Sequence, residues 1–419
     1  MTGATLPRYQ GQAGRSRLAA LCADRNWQDG VFAALMLLSR IPANLGTAGG
    51  LAFLLLAGLY TLLRLEQAGL ALRRCWPLLV YPAVALLSAS WADFPELTLR
   101  AAVQMTVTAY AGLLLSQAQR PRTVLLALLA VYGGYTVASW LAGNTRADGL
   151  GEAPALFGLG GEAKNYFADT TGTAVLLALA GLAMMLERRA WAWSAALAIV
   201  AAICVMATLA ARSAGAVAAL LSSGALLAAL LLLRQASPAA KLLFVIALVT
   251  ALVLGALFFD QLLALVQQAS NKDEGLTGRG YLWYRAAFYT AERPWLGVGY
   301  FGFWTAQNPE AIGLWRYFDV RQEGTAFSFH NGYIQTWVET GLIGVAALVL
   351  TWAATAALLL RRFVITRSLP ACFWLAYLAH EMAKTPVEPI RPSALVAPTI
   401  MMFAAAGFGC LPVLRPGRQ

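Results

Sequence analysis

Residues 213–233, SAGAVAALLSSGALLAALLLL, form an apolar run without a single charged side chain. A bilayer core about 30 Å thick is crossed by roughly 20 apolar residues in a helix, so this run predicts a transmembrane helix. Similar runs recur from near Val31 to Val413, and hydrophobic residues make up 59% of the chain against 12% that are charged. The runs are continuous rather than alternating, which favours helices over the strands of a barrel. The sequence therefore predicts an all-α polytopic membrane protein.

We predict about twelve transmembrane helices with one long outward-facing loop between the ninth and the tenth. The predicted spans are 28–45, 47–64, 77–92, 98–118, 123–142, 169–187, 191–210, 213–233, 242–264, 331–360, 369–385 and 394–413. The chain then divides into a basic N-terminal segment (1–27), spans one to nine (28–264), the long loop (265–330), spans ten to twelve (331–413) and a short tail (414–419).

The basic residues indicate which ends of the spans face the cytoplasm. If both termini are cytoplasmic, each inner segment carries at least two of them: Arg8, Arg15, Arg17 and Arg25; Arg64, Arg73 and Arg74; Arg120 and Arg122; Arg188 and Arg189; Arg234 and Lys241; Arg361, Arg362 and Arg367; Arg415 and Arg418. Short basic loops on the inner side are what the positive-inside rule requires, so the long loop faces outward. The net charge of +11 then indicates topology and contact with anionic lipids, not nucleic-acid binding.

The cysteines and the N-terminal segment add little to this picture. The first 27 residues are polar and basic, and they contain no evident cleavable signal peptide. The five cysteines are scattered, and none lies in the long loop, so we expect packed small side chains rather than a disulfide framework or a metal cluster.

The long loop is dense in aromatic residues and is bracketed by residues that can do chemistry. Thirteen of the 38 residues from Tyr281 to Phe318 are aromatic, against 11% of the whole chain, with Arg279 just before them and His330 just after. The aromatic rings can stack on sugars or form a belt at the membrane interface. Residues 281–292 predict a short amphipathic helix on the membrane.

Polar motifs accumulate on the outward side, and their order resembles the O-antigen ligase and polymerase superfamily, specifically its exopolysaccharide-polymerase branch. The motifs run from Ser88 to Arg100, through Lys164-Asn165 and Arg212, to Leu276–Trp283, Arg293–Gly299 and His330–Gly341. Two positions depart from the pattern: Ala163 stands where the family often has histidine, and Ala211 where it commonly has serine or threonine.

The resemblance implies a glycosyltransferase of the bacterial inner membrane with its active site in the periplasm. Such enzymes take a glycan from an undecaprenyl-diphosphate donor, invert the anomeric configuration, and use neither a metal nor another cofactor. The acceptor distinguishes two alternatives. A polymerase uses a second lipid-linked glycan and a ligase uses the lipid A core, and the loop motifs are more similar to those of polymerases.

The residues themselves agree with such chemistry. Arginine binds diphosphate oxygens through a planar, permanently charged fork, which favours Arg212 and Arg279 as the diphosphate ligands. A neutral imidazole at His330 can remove the proton of an acceptor hydroxyl. Further candidates for substrate binding are Arg100, Lys164, Asn165, Tyr281, Trp283, Arg293, Trp304, Asn331 and Tyr333. The other histidine, His380, precedes Glu381 inside a span and is interpreted as packed or paired.

A transporter or lipid flippase is the rival function, since many-helix proteins with intramembrane arginines often move substrates. A transporter is expected to contain internal repeats and helices broken at mid-membrane. The two halves of this chain show no convincing repeat, and its polar groups gather at one face, which favours an enzyme. The expected partners are the lipid-linked donor, an acceptor glycan and membrane lipids.

Overall fold

The computed structural model describes residues 24–147, 153–258, 278–320 and 327–413, and these ranges are almost entirely helical. They contain fifteen α-helices: α1 Arg25–Leu38, α2 Gly46–Leu63, α3 Leu65–Cys75, α4 Val80–Leu87, α5 Pro95–Leu115, α6 Pro121–Ala142, α7 Lys164–Glu187, α8 Trp191–Ala210, α9 Ala214–Leu233, α10 Pro238–Leu257, α11 Arg279–Glu292, α12 Pro309–Tyr317, α13 Gly332–Ile365, α14 Leu369–Lys384 and α15 Ala397–Cys410. Two-residue strands β1 (Thr145–Arg146) and β2 (Ala155–Leu156) pair in antiparallel fashion.

The predicted class, an all-α polytopic membrane protein, is confirmed. Eight helical segments among the described residues are long and apolar enough to cross a membrane: Ala43–Leu63, Leu65–Ser90, Pro121–Ala142, Lys164–Glu187, Trp191–Ala210, Ala214–Leu233, Pro238–Gly255 and Gly332–Ile365. The other four predicted spans coincide with α1, α14 and α15, which are shorter than 18 residues, and with α5, which is less apolar.

Two span boundaries need correction. The first span was predicted to run to residue 45, but α1 ends at Leu38, because Ile41 precedes Pro42 and a residue before proline avoids the helical conformation. The third span was predicted to begin at residue 77, but helical chain already begins at Leu65 with α3. Arg73 and Arg74 lie on the exposed side of α3, whose small residues face inward, so these charges do not interrupt the helix.

Helices α14 and α15 form the interior of the bundle, and some of the most apolar helices lie on its outside. Nearly every residue of α14 and α15 is buried, and α15 packs along α5 while α14 packs along α9. By contrast, leucines stand out from the outer helices, including Leu55 of α2, Leu221 and Leu232 of α9, and Leu243 of α10. Large exposed apolar surfaces of this kind are stable only against lipid.

At one end of the bundle, charged residues from separate loops meet. The guanidinium of Arg234, after α9, contacts Glu187 at the end of α7, and Arg122 of α6 lies 3.6 Å from the same carboxylate. The ammonium of Lys241 donates to the backbone oxygens of Phe363 and Thr366 at the end of α13. These contacts join α6, α7, α9, α10 and α13 at the end opposite the aromatic loop.

Candidate active site

The starts of α7, α11 and α13 converge on a single carboxylate, that of Glu388. This residue lies in the segment between α14 and α15. Its Oε1 accepts hydrogen bonds from Arg279 Nη2 at 2.9 Å and from Asn165 Nδ2 at 2.7 Å. Its Oε2 lies 3.6 Å from His330 Nδ1. Three residues selected from the sequence, far apart in the chain, are therefore brought together by one that was not.

Close backbone contact between α13 and the segment after α14 sets the distance from His330 to Glu388. Gly332, the first residue of α13, donates its N–H to the oxygen of Thr385 at 2.7 Å. A Cβ at position 332 would stand 2.4 Å from the backbone oxygen of Ile390, so only glycine allows this approach. His330, two residues earlier, is thereby held against the segment that carries Glu388.

His330 itself does not cap the helix that follows it. Asn331 is the N-cap of α13, and its side chain accepts from the backbone N–H groups of Tyr333 and Ile334. The backbone of His330 is in the left-handed region, with φ of +49°. Residues other than glycine adopt this conformation at a cost in free energy. Its side chain remains 32% exposed, and its Nδ1 has no hydrogen-bond partner among the described residues.

Arg212 lies beside the same region but has a different environment. Its backbone is also left-handed, with φ of +52°, and its side chain is exposed, with no partner for the guanidinium in the part of the chain that the structure describes. The next residue, Ser213, lines a small pocket together with Asn165, Asp169, Lys384 and Glu388. Among the described residues Arg212 is thus a cation without a counter-ion, and it directly precedes a residue that lines the pocket.

Below this pocket a second polar layer continues into the bundle. Asp169 of α7 forms an ion pair with Lys384 of α14, and both side chains are less than a tenth exposed. His380 is fully buried, with Nε2 3.5 Å from Asp169 Oδ1 and Nδ1 3.2 Å from Ser223 Oγ, in agreement with its interpretation as a packed, paired histidine. Asp169, His380 and Glu381 offer three ligand atoms within 4.8 Å of one another, but the ammonium of Lys384 already supplies the cation that neutralises Asp169.

The aromatic loop forms a small hydrophobic core of its own around α11, α12 and the start of α13. Leu282, Phe303, Leu314, Trp315 and Phe329 are buried together. Trp315 is 0% exposed, so its ring is available neither for stacking on a sugar nor for a belt at the membrane interface. The predicted helix at residues 281–292 is confirmed as α11, but one face of it packs onto this core while Tyr284 and Phe288 remain exposed.

The tryptophans and tyrosines proposed for sugar binding are mostly engaged in that core. Trp283 donates its indole N–H to the oxygen of Phe329 at 2.8 Å, and Trp304 donates to Gln335 at 3.1 Å. Tyr281 stacks on Tyr317 with 4.2 Å between ring centroids. The rings of Tyr281, Trp283, Trp304 and Tyr333 are each partly exposed. Contact between these rings and a sugar therefore stays a prediction.

A buried ion pair fastens the loop to the helix bundle. Arg391 Nη2 lies 2.8 Å from Glu339 Oε2 and the guanidinium also donates to the hydroxyl of Tyr81. Glu339 in turn accepts from the backbone N–H of Phe301 at 2.7 Å. Burial disfavours the charge of Arg391, but the Glu339 carboxylate and the hydroxyl groups of Tyr81 and Tyr300 together outweigh it and raise the pKa of the guanidinium. Arg391 therefore stays charged, and its partner Glu339 holds the turn that contains Phe301.

Arg293 and Arg100 lie apart from the Glu388 cluster. Arg293 pairs with Asp93 at 2.5 Å across the surface, and both side chains are exposed. Asp93, Glu96, Arg100 and Gln307 line an open depression of about 650 Å³. The two arginines therefore remain candidates only for contacts at the periphery of a large substrate. Lys164, the first residue of α7, directly precedes Asn165 and has interactions of its own.

Comparison with known proteins supports the family resemblance of this part of the chain. Residues 199–349 match the family model described as O-antigen ligase, a range that includes Arg212, Arg279 and His330. The resemblance to the O-antigen ligase and polymerase superfamily is confirmed. The exopolysaccharide production protein ExoQ of Rhizobium meliloti (strain 1021) is 30% identical over 268 residues, which are 64% of this chain and 61% of that relative. The chain thus matches somewhat less than two thirds of the relative's length.

Sequence reasoning missed the carboxylates of the site. Glu388 and Asp169 are isolated acidic residues with no local motif, and Glu339 lies in the motif His330–Gly341 without an assigned role. Each finds its cationic partner through contacts distant in sequence. The one usable signal was position. Glu388 lies in Thr385-Pro-Val-Glu-Pro-Ile-Arg391, a short segment between two spans on the side that the sequence predicts to face outward.

Proposed function

We propose that this protein is a glycosyltransferase that moves a glycan from an undecaprenyl-diphosphate donor to a hydroxyl of an acceptor sugar. The observation that supports this proposal most strongly is the convergence of Arg279, Asn165 and His330 on Glu388. All three groups lie next to the same carboxylate. The arginine and the amide can bind an anionic leaving group there, and the neighbouring imidazole can accept a proton. The family match over residues 199–349 supports the same class of reaction.

The diphosphate of the donor binds between Arg279 and Arg212 in this proposal. Arg279 presents a partly exposed guanidinium, and Arg212 is exposed with no carboxylate paired to it in the described residues. Negative charge builds up on the diphosphate as the glycosidic bond breaks. Preorganised cations at that point stabilise the transition state more than the ground state, which is the requirement for acceleration.

His330 acts as the general base. The acceptor hydroxyl loses its proton to Nε2 of His330 while its oxygen forms a bond to the anomeric carbon of the donor. The bond between that carbon and the diphosphate oxygen breaks, and its electron pair leaves with undecaprenyl diphosphate. Attack from the face opposite the leaving group inverts the anomeric centre. The imidazolium, 32% exposed, then returns its proton to water.

The site faces the periplasm of the bacterial inner membrane in this proposal, with both termini in the cytoplasm. The basic residues support that orientation. Arg122, Arg234 and Lys241 gather at the opposite end of the bundle from Arg279 and His330, where the positive-inside rule predicts the cytoplasm. The exposed leucines of α2, α9 and α10 contact lipid, and the donor's polyprenyl chain reaches the site through the same bilayer.

Polymerisation of exopolysaccharide repeat units is the reaction we favour, with ligation to the lipid A core as the second candidate. The relative ExoQ is an exopolysaccharide production protein, which favours the polymerase. The matching family model is described as O-antigen ligase, which favours the ligase. The two reactions have the same donor and differ in the acceptor.

A reconstituted assay tests both the class and the acceptor. The protein in lipid nanodiscs is incubated with lipid-linked oligosaccharide extracted from a strain that lacks its gene. Longer lipid-linked glycans formed from the donor alone identify a polymerase. Product that forms only when lipid A core is added identifies a ligase. No glycan transfer under either condition, with intact donor recovered, contradicts the proposed function.

A further inference from the structure

We propose that the diphosphate of the donor displaces Glu388 from Arg279, and that the freed carboxylate then accepts a hydrogen bond from His330 Nδ1. Donor binding would in this way set the catalytic base in its working orientation. The inference rests on the proposed function and adds a positioning residue to it.

The Glu388 carboxylate is hydrogen-bonded to Arg279 and Asn165 but lies slightly too far from His330 for a hydrogen bond. Glu388 Oε1 is fixed by Arg279 at 2.9 Å and by Asn165 at 2.7 Å. Its Oε2 is 3.6 Å from His330 Nδ1, whereas a hydrogen bond to a nitrogen spans about 2.7–3.2 Å. His330 Nδ1 is buried and has no hydrogen-bond partner among the described residues. A buried polar atom without a partner is costly, so the nitrogen and Oε2 gain by closing the gap.

The donor competes with Glu388 for the same guanidinium. A diphosphate and a carboxylate both bind an arginine through paired oxygens, and the diphosphate carries more charge. Glu388 is 15% and Arg279 21% exposed, so water screens their charges only partly. A diphosphate at Arg279 therefore repels the carboxylate at close range. The side chain of Glu388 can turn away while its backbone stays in place. The backbone N–H of Glu388 donates to the backbone oxygen of Lys384, and the backbone oxygen of Glu388 accepts from the N–H of Ile390.

The displaced carboxylate changes what His330 can do. A hydrogen bond from Nδ1–H to Glu388 fixes the tautomer in which Nε2 carries the lone pair that takes the acceptor proton. The negative charge behind the ring also stabilises the imidazolium as it forms, as the aspartate does in serine protease triads. The proton taken from the acceptor hydroxyl remains on the imidazole until water removes it. Without donor, the base is unaligned and the site is idle.

The variant Glu388→Gln separates this mechanism from a structural role, because it keeps the size of the side chain and removes the charge. Loss of the competing charge should tighten binding of undecaprenyl diphosphate, by roughly 3- to 10-fold for a partly screened ion pair. Loss of the carboxylate behind the imidazole should lower kcat by about 10- to 100-fold, as for other carboxylates that orient a functional histidine. A merely structural carboxylate would not strengthen lipid binding when removed.

Binding is measured with undecaprenyl diphosphate titrated into nanodiscs that hold the full chain, and kcat in the transfer assay with the same preparation. Glu310→Gln is the matched control, because it removes a carboxylate that lies 3.0 Å from Arg285 in the same loop; both quantities should stay at the wild-type value. If Glu388→Gln does not accumulate, Glu388→Asp withdraws the carboxylate by one methylene and should shift both quantities in the same directions by less.

Tighter lipid binding together with slower turnover supports the exchange. Unchanged or weaker binding of undecaprenyl diphosphate overturns the competition between Glu388 and the donor. An unchanged kcat overturns the role of Glu388 behind His330. A wild-type protein that binds the lipid but transfers no glycan contradicts the proposed function instead, and the two failures are thereby distinguished.

Discussion

Glu339 and Arg391 form an ion pair 2.8 Å long in which neither side chain is more than 5% exposed. The pair connects the first turns of α13 to the segment that also carries Glu388. The side-chain amide of Gln335 and the N–H of Phe301 also donate to Glu339, and the hydroxyl of Tyr81 accepts from Arg391. The relative position of His330 and Glu388 therefore depends on a contact that touches neither of them.

Removal of one member of this pair should destabilise the protein strongly. Arg391→Met leaves the charge of Glu339 buried and uncompensated, and breaking a buried pair in this way costs about 3–5 kcal/mol. We expect a lower yield of folded protein and a clearly lower melting temperature in detergent. Arg285→Met, at a surface ion pair worth at most about 1 kcal/mol, is the control and should melt near the wild-type temperature. Equal melting of the two variants would contradict a stabilising role for Arg391.

Gly341 should tolerate no side chain. It interrupts α13 with φ of +66°, and a Cβ there would lie 2.0 Å from the backbone of Trp295. Gly341→Ala therefore displaces the turn that follows α11 and should abolish glycan transfer or folding. Gly134 of α6 has no atom within 4 Å of a Cβ, so Gly134→Ala should be neutral or stabilise by roughly 0.5–1 kcal/mol. Thermal unfolding of both variants is the measurement.

His330→Ala should stop transfer without preventing donor binding. General bases contribute about 10²- to 10⁴-fold to rates, and in the proposed mechanism the arginines, not the imidazole, bind the diphosphate. Turnover and binding of undecaprenyl diphosphate are compared in one preparation, and a chelator should leave wild-type turnover unchanged. Near-normal turnover would remove His330 from the mechanism, and lost lipid binding would reassign it as a phosphate ligand.

Arg279→Lys should impair transfer substantially although the positive charge is kept. A lysine has no planar fork and cannot bind two phosphate oxygens in parallel. Arg212→Ala should have a similar effect, since its guanidinium is exposed and free in the described structure. Arg285→Lys in the same loop serves as the control and should transfer at the wild-type rate. A normal rate for Arg279→Lys or Arg212→Ala would show that the arginine concerned is structural.

Topology can be read with reporter fusions. A reporter after Arg189 or Arg234 should be cytoplasmic, because these positions lie in basic loops. A reporter at Asn271, which lies outside the described residues, should be external. A cytoplasmic signal at Asn271 would place the aromatic loop on the wrong side of the membrane for a lipid-linked donor in the periplasm.

Hydropathy predicted the helices well because each span is encoded locally. The errors arose where polar residues lie inside a helix, as Arg73 and Arg74 do in α3, and where a proline ends one early, as Pro42 does after α1. In both places the helix boundary depends on a few side chains. Hydropathy averaged over about 20 residues does not resolve their effect.

The site was predictable only on its cationic side. Arg279 and His330 stand before and after a stretch that is unusually rich in aromatic residues. Arginine can bind phosphate and histidine can act as a base, so the two residues could be selected from the sequence. Their common partner Glu388 is one of 20 acidic residues and lies 109 positions from Arg279 and 223 from Asn165. No local pattern encodes such a distant contact. The aromatic residues were overinterpreted for a related reason, since composition does not distinguish a ring in a core from a ring on a surface.

The position of Glu388 after α14 has a consequence for biosynthesis. A ribosome that has translated the chain through Ile365 has already made Asn165, Arg212, Arg279 and His330, and the apolar helices that carry most of them can enter the membrane on their own. The carboxylate that contacts Asn165, Arg279 and His330 arrives with the segment between α14 and α15, two short helices that are buried among the others. Insertion of this last helical hairpin is therefore the event that completes the cluster, so under the proposed function a nascent chain is inactive until its final pair of helices is in place.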